Sequence, residues 1–240
     1  MSFSTWTPPA VSSEARRWAG VVWRMVEAQH VASTMKIVDS PAEQDVLEAL
    51  LDGAKPALPP EAEPLDYLLA TPFRYPPLPG GSRFRSGIDP GVFYGADTVA
   101  TAGAELGYWR WRFLHDAVDL ERLEPVPHTA FGAEVATTTV DVRCAPFDRD
   151  AEAWTHPTDY RHTQAFARVA RSARVGGILY RSVRSAVPAW CLALLTPAGF
   201  AHRKPLAATQ TWWLAVSVDG VQWRRDAESM TFAADAWRTP

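Results

Sequence analysis

Between Arg83 and Glu105 the chain reads R-F-R-S-G-I-D-P-G-V-F-Y-G-A-D-T-V-A-T-A-G-A-E. An arginine opens the stretch. The turn Asp89-Pro90-Gly91 leads into an aromatic strand, Val92-Phe93-Tyr94, and a small-residue helix begins near Asp97 and carries one carboxylate, Glu105. These residue types suit an anionic ligand that bears an aromatic base and a ribose. A guanidinium fork takes phosphate, a ring stacks on a base, and a carboxylate takes sugar hydroxyls. Each residue also has a plain reading. Glu105 can be a surface helix glutamate near Arg110 or Arg112, Arg83 a turn arginine, and Tyr94 a strand aromatic. Arg24 stands between Val22-Trp23 and Met25-Val26, and a buried arginine needs an anion from protein or ligand.

Other familiar chemistry is missing. The chain has no nucleotide P-loop, no G-x-G-x-x-G, no H-E-x-x-H and no G-x-S-x-G. The 6 histidines never fall at helical ligand spacing, so no metal is expected. With 240 residues, 47 % of them apolar, one domain with a sizeable core is expected. A net charge of -3 without a basic tract argues against direct nucleic-acid binding. The first residues lack the pattern of a secretory signal, and no apolar run is long enough to span a membrane. Cys144 and Cys191 make no disulfide framework, and the cytoplasm is the simplest compartment. The 11 tryptophans read as core groups more readily than as a stacking platform.

Several elements must position the candidates. Ala19–Glu27 reads as a buried strand. Ser40, Pro41 and Glu43 form a capping box for a helix with Val46, Leu47, Leu50 and Leu51 on its apolar face, ending at Gly53. The proline clusters Lys55–Pro64 and Thr71–Pro79 read as extended or turn backbone, with a short apolar piece, Tyr67–Ala70, between them. The longest helix is expected from Asp97 to about Asp116, its first half small enough to lie close against a sheet or a ligand. Glu134–Val142 reads as a strand. Asp159–Arg174 reads as a helix with Ala165, Phe166, Val169 and Ala170 inward, stopped by Gly176-Gly177. Ile178–Ser182 and Ala189–Leu195 read as strands, and Asp219-Gly220 joins Thr211–Val218 to Val221–Arg225 in a hairpin. This order lacks strict βαβ alternation and predicts an α+β fold around a mostly antiparallel or mixed sheet flanked by helices. The single domain spans 1–240, with 1–64 as an N-terminal strand–helix lobe and proline-rich linker.

In order, the chain shows Trp23-Arg24 on a strand, then G-S-R-F (Gly81–Phe84), F-Y-G-A (Phe93–Ala96) and T-A-x-A-E (Thr101–Glu105). T-Q-A (Thr163–Ala165) and G-G-I-L-Y-R-S (Gly176–Ser182) follow. This sequence of motifs resembles the RES-domain toxins, encoded beside Xre-type antitoxins, and the T-P-F-R-Y and Y-W-R-W-R-F blocks look like the ParT-type branch. The resemblance covers most of the chain. It implies a fold shared with diphtheria-toxin-type ADP-ribosyltransferases and cleavage of NAD, as substrate, at the nicotinamide–ribose bond. It also implies an Xre/ParS-type antitoxin partner and a possible protein target of ADP-ribosylation. The catalytic set it implies is Glu105, Arg83, Tyr94 and Ser182, with Arg24, Arg83, Tyr94 and Arg74 on the dinucleotide. Ser182 matches the family serine best, and Thr163 or Gln164 lie in a neighbouring block. Arg85 stands where the family carries asparagine, and the proline-rich insertion brings in Arg74 as a substitute for either arginine. From a different class, the chain can be read as a non-catalytic protein-binding module that uses its Trp- and Arg-rich surface.

Overall fold

The computed structural model describes residues 5–28, 40–77 and 79–238. Part of the expected 1–64 lobe, including residues 29–39 and His30, lies outside them. The α-helices are α1 (Pro8–Ser13), α2 (Pro41–Ala54), α3 (Tyr67–Arg74), α4 (Val99–Asp116), α5 (Ala151–Thr155) and α6 (Arg161–Ser172). The strands are β1 (Arg16–Glu27), β2 (Phe93–Ala96), β3 (Arg122–Asp141), β4 (Gly177–Arg181), β5 (Trp190–Leu194), β6 (Gln210–Ser217), β7 (Gly220–Arg225) and β8 (Glu228–Ala233). The expected α+β class with a mixed sheet is what forms: one 8-stranded sheet in the order β1-β2-β5-β4-β3-β6-β7-β8. Only β3 and β4 run parallel.

One extra pairing gives the sheet its shape. β1 lies along β3 over its full 12 residues, from Arg16 opposite Thr139 to Glu27 opposite His128. It also meets β2 at Trp23 opposite Ala96. Strands β1, β2, β5, β4 and β3 therefore close into a ring, and β6, β7 and β8 continue from the first half of β3 as an open extension. The ring separates two apolar clusters. One contains Val22, Phe93, Phe131, Leu179, Leu192 and Leu194, capped by α3 through Leu69 and Phe73. The other contains Met25, Ala96, Tyr180 and Cys191 and is covered by α4 and α6. Strand alternation assigns neighbours to opposite faces, so Phe93 belongs to one cluster while Tyr94 packs on the other.

The longest helix, α4, starts at Val99, just after Asp97, because Thr98 caps it, its hydroxyl accepting from the Thr101 N–H at 3.1 Å. Its small residues lie against the sheet extension. The Trp223 indole donates to the Gly103 carbonyl at 3.2 Å, and a Cβ on Gly107 would come within 2.7 Å of Val221 Cγ2.

Several expectations are corrected. β3 begins at Arg122, well before Glu134, because a register shift between Leu123 and Val126 absorbs Pro125. Thr71–Arg74 is helical although Pro72 lies within it: the Asp66 side chain caps α3, and Leu69, Ala70 and Phe73 are buried. In α6, Ala165 is exposed and Ala167 takes the inward place. The helix ends at Ser172, with Arg174 in the left-handed region at φ 59, ahead of the glycines. Gly176 instead permits close approach, since a Cβ there would sit 2.1 Å from Thr137 Oγ1. The capping bond from the Glu43 N–H to Ser40 Oγ is present at 3.2 Å, but α2 runs past Gly53, and its Val46, Leu50 and Leu51 are exposed. Most tryptophans are core or partly buried; Trp109 and Trp213 are exposed.

Gly107→Val tests the close approach of α4. It should overpack against Val221, costing about 1–3 kcal/mol and lowering Tm by about 2–10 °C. A melting curve unchanged from wild type would show that α4 does not depend on that contact.

Candidate active site

Glu105 sits partly buried on the sheet-facing side of α4, and its carboxylate meets the end of β4. Ser182 Oγ donates to Glu105 Oε1 at 2.6 Å. The same hydroxyl oxygen accepts from the N–H groups of Arg184 and Ser185, both at 3.3 Å. Ser182 is thereby fixed as a donor toward the carboxylate. The Cys191 thiol on β5 lies 3.8 Å from the same carboxylate oxygen. The plain alternative for Glu105 is not realised, because Arg110 pairs with Glu27 and Arg112 with Asp116.

Arg83 enters from the loop before β2 and is 8 % exposed. Its Nη1 donates to the carbonyls of Trp154 and His156, at 2.9 and 3.0 Å, and its guanidinium lies over the Tyr160 ring at 4.8 Å. Among the described residues it makes no ion pair, and its Nε and Nη2 make no hydrogen bond. A buried cation held by carbonyls and a ring is short of a counter-charge. The loop that presents it is pinned by α6. Thr163 Oγ1 donates to the Arg83 carbonyl, and Gln164 Nε2 donates to the carbonyls of Gly80, Ser82 and Arg85 at 3.0 to 3.3 Å. Thr163 and Gln164 thus support the arginine, and the serine position on the carboxylate belongs to Ser182.

Tyr94 points to the same face from β2. Its hydroxyl sits 2.8 Å from Ser82 Oγ and accepts from the Phe84 N–H at 2.9 Å. Tyr180 lies beneath, its ring 4.9 Å from that of Phe84. The charges knit the group together. Burial pushes the Tyr180 hydroxyl and the Cys191 thiol well up; the Glu105 charge adds to both shifts and the Arg83 charge opposes both. Burial likewise raises Tyr94, against the hydrogen bonds from Ser82 and Phe84 and the charge of Arg83.

Glu105, Ser182, Tyr94 and Arg83 are therefore gathered, whereas Arg24 and Arg74 are not. Arg24 shares the face of Val22 and Val26, lies over the Phe93 ring at 5.1 Å and donates through Nη1 to the Tyr94 carbonyl at 2.9 Å. Burial lowers it to about 10, against the opposing effect of Tyr94 and Tyr180, and among the described residues its Nε has no partner. Arg74 donates to the Pro56 carbonyl at 2.9 Å, near the surface. Arg85, in the asparagine position, ties its loop to the carbonyls of Asp89 and Tyr75. The group also includes Tyr160, Tyr180, Cys191 and Arg184, which sequence reasoning did not assign to it. Tyr180 carried a signal, two residues before Ser182 on one strand face. Tyr160 carried none, because only the fold brings it under Arg83. Among the described residues no group of 3 or more His, Cys, Asp or Glu gathers as for a metal ion, and no described helix is long and apolar enough to cross a membrane.

The closed sheet ring thus carries a carboxylate–hydroxyl pair and a buried arginine that makes no ion pair among the described residues, and the family follows from the chain itself. The RES domain model matches residues 58–217, so the chain belongs to the RES-domain family. Among solved structures it is similar to a chain in the crystal structure of the M. tuberculosis MbcT-MbcA toxin-antitoxin complex. That match has 11 % identity and a TM-score of 0.45, over 93 % of this chain and 89 % of that one. No curated protein matches it.

The raised tyrosines give a pH signature. An acid that is harder to ionise folded than unfolded supports folding fully below its unfolded value, and that support is lost as the pH rises through the folded value. Tyr94 and Tyr180 should therefore ionise at a higher pH than that of about 10 at which exposed tyrosines titrate. Absorbance titration should show one fraction ionising there and another appearing only on unfolding, with Tyr180→Phe diminishing the second. A single transition of all 6 tyrosines near a pH of about 10 would contradict the buried arrangement.

Proposed function

We propose that this chain is the toxin of a toxin–antitoxin pair. In this reading it cleaves NAD at the nicotinamide–ribose bond, as an ADP-ribosyltransferase or as an NAD glycohydrolase or phosphorylase. The observation that carries the proposal is the 2.6 Å Ser182–Glu105 contact beside a buried Arg83 that makes no ion pair among the described residues. Breaking an N-glycosidic bond builds positive charge on the ribose, as in other glycoside cleavages. Glu105 offsets that charge and takes a ribose hydroxyl. The remaining guanidinium edge of Arg83 takes pyrophosphate oxygens as a fork. Tyr94 offers its ring to nicotinamide or adenine, and Ser182 holds the carboxylate in place. The ADP-ribosyl group passes to water, phosphate or a protein side chain. The partner is an Xre/ParS-type antitoxin, and the reaction takes place in the cytoplasm.

Glu105→Gln should keep the fold and lower nicotinamide release by roughly a hundredfold or more, since glutamine keeps the shape but not the charge. Expression of the wild-type chain alone should stop growth, while co-expression of the partner or Glu105→Gln should restore it. Release by Glu105→Gln within a fewfold of wild type would remove Glu105 from the mechanism. Equal harm from both chains would favour the binding-module reading. Arg83→Lys should weaken NAD binding by calorimetry more than it lowers Tm; unchanged affinity would remove Arg83 from the pyrophosphate.

A further inference from the structure

The two halves of the site come from distant stretches of chain, and one buried residue touches both, through its backbone on one side and its side chain on the other. Arg184 is 4 % exposed. Its backbone N–H donates to Ser182 Oγ, the hydroxyl that bonds Glu105. Its Nη2 donates to the Pro157 carbonyl and to the Tyr160 hydroxyl, the latter at 3.3 Å. Tyr160 is the ring beneath Arg83, and the residue before Pro157 is His156, whose carbonyl receives Arg83 Nη1. The guanidinium of Arg184 lies flat on the Tyr108 ring, 3.4 Å from its centre, one turn beyond Glu105 on α4. The Trp237 indole closes the arrangement by donating to the Arg184 carbonyl at 2.9 Å.

We infer that Arg184 is a positioning residue that sets the spacing between the Glu105–Ser182 pair and the Arg83 guanidinium. The role in catalysis rests on the NAD reading above. Arg184 acts through other residues. Its ring-stacked face and Nη2 are occupied by Tyr108, Pro157 and Tyr160, and its small exposure leaves little for a ligand. Lysine cannot take its place, because a point ammonium cannot lie flat on a ring while donating in plane to two acceptors. The arrangement also brings two buried cations to one tyrosine, Arg83 over its ring and Arg184 at its hydroxyl, and neither makes an ion pair among the described residues.

The test uses the full chain with Arg184→Lys, Tyr160→Phe and the double variant. Each single change should lower kcat for nicotinamide release by roughly tenfold to a hundredfold, as expected of a displacement near 1 Å. KM for NAD should stay within about threefold, as for a lost transition-state alignment. The double variant should fall little below either single one, because both break one link. A raised KM with kcat unchanged would make Arg184 a ligand contact and overturn the proposal, as would losses that multiply. Tyr160→Phe removes one hydroxyl and carries the kinetic test alone if Arg184→Lys does not fold. Crystal structures of the variants decide the point without NAD. The Ser182 Oγ–Glu105 Oε1 separation should exceed the 2.6 Å of the native chain, or the Tyr160 ring should leave Arg83. If both stay unchanged, the inference is wrong. A wild-type chain that releases no nicotinamide sinks the NAD reading and leaves those distances to judge the positioning role.

Discussion

A carboxylate on a helix meets a hydroxyl at a strand end at 2.6 Å only where the helix backbone comes very close to the sheet. That approach is the constraint on which this fold depends. It explains why α4 gives its first two turns to Thr101, Ala102, Gly103 and Ala104, all buried, at the expense of helix propensity at Gly103 and Gly107. The lost propensity is offset by contacts that a larger residue would block: Trp223 on the Gly103 carbonyl and Val221 against Gly107. From Tyr108 onward large rings pack together, with Trp111 and Trp237 beside Tyr108. Small residues before the carboxylate and large ones after it are one solution to one geometric problem.

The electrostatics follow from the same burial. Arg83 is held by two carbonyls and a ring instead of a carboxylate, so its charge stays uncompensated inside the protein. Around it stand Tyr94, Tyr180 and Cys191, each raised by burial and neutral near pH 7. A neutral lining keeps the effective dielectric low, so the one carboxylate and the arginines act strongly on whatever lies between them. Arg24 serves elsewhere, bracing the backbone of Tyr94 from the opposite face of the sheet.

The parts legible in sequence were those that local rules govern. Ser40 read as a cap, Asp219-Gly220 as a hairpin, and the small-residue run as a close-packed helix, because each is decided by a few adjacent residues. Arg83, Tyr94, Glu105 and Ser182 were legible through motif order, and the structure gathers them. Long-range effects were hidden. The strand read from Glu134 begins at Arg122, and a bulge absorbs Pro125 within it. Ala165 and Ala167 are equivalent by composition, and only the docked phase of α6 separates them. Arg184 and Tyr160 carry no spacing signal, since their meeting depends on the loop before β5 folding back over α6. Val46, Leu50 and Leu51 have the pattern of a core face but remain exposed, because periodicity reports an apolar stripe and not what covers it.

The ring of strands has a consequence for synthesis. β1, near the N-terminus, lies between β2 and β3, while β2 and β3 are linked on the other side only through β4 and β5. The ring cannot close until β5, ending at Leu194, has been made. Glu105 leaves the ribosome long before Ser182, and Trp237, which ties down the Arg184 loop, comes last of all. Pairings this distant in sequence are slow to form. The order of translation therefore keeps the carboxylate without its hydroxyl while the chain is being made, so a prematurely ended product carries the glutamate but not the pocket. That ordering leaves an interval between the synthesis of the carboxylate and the completion of its site.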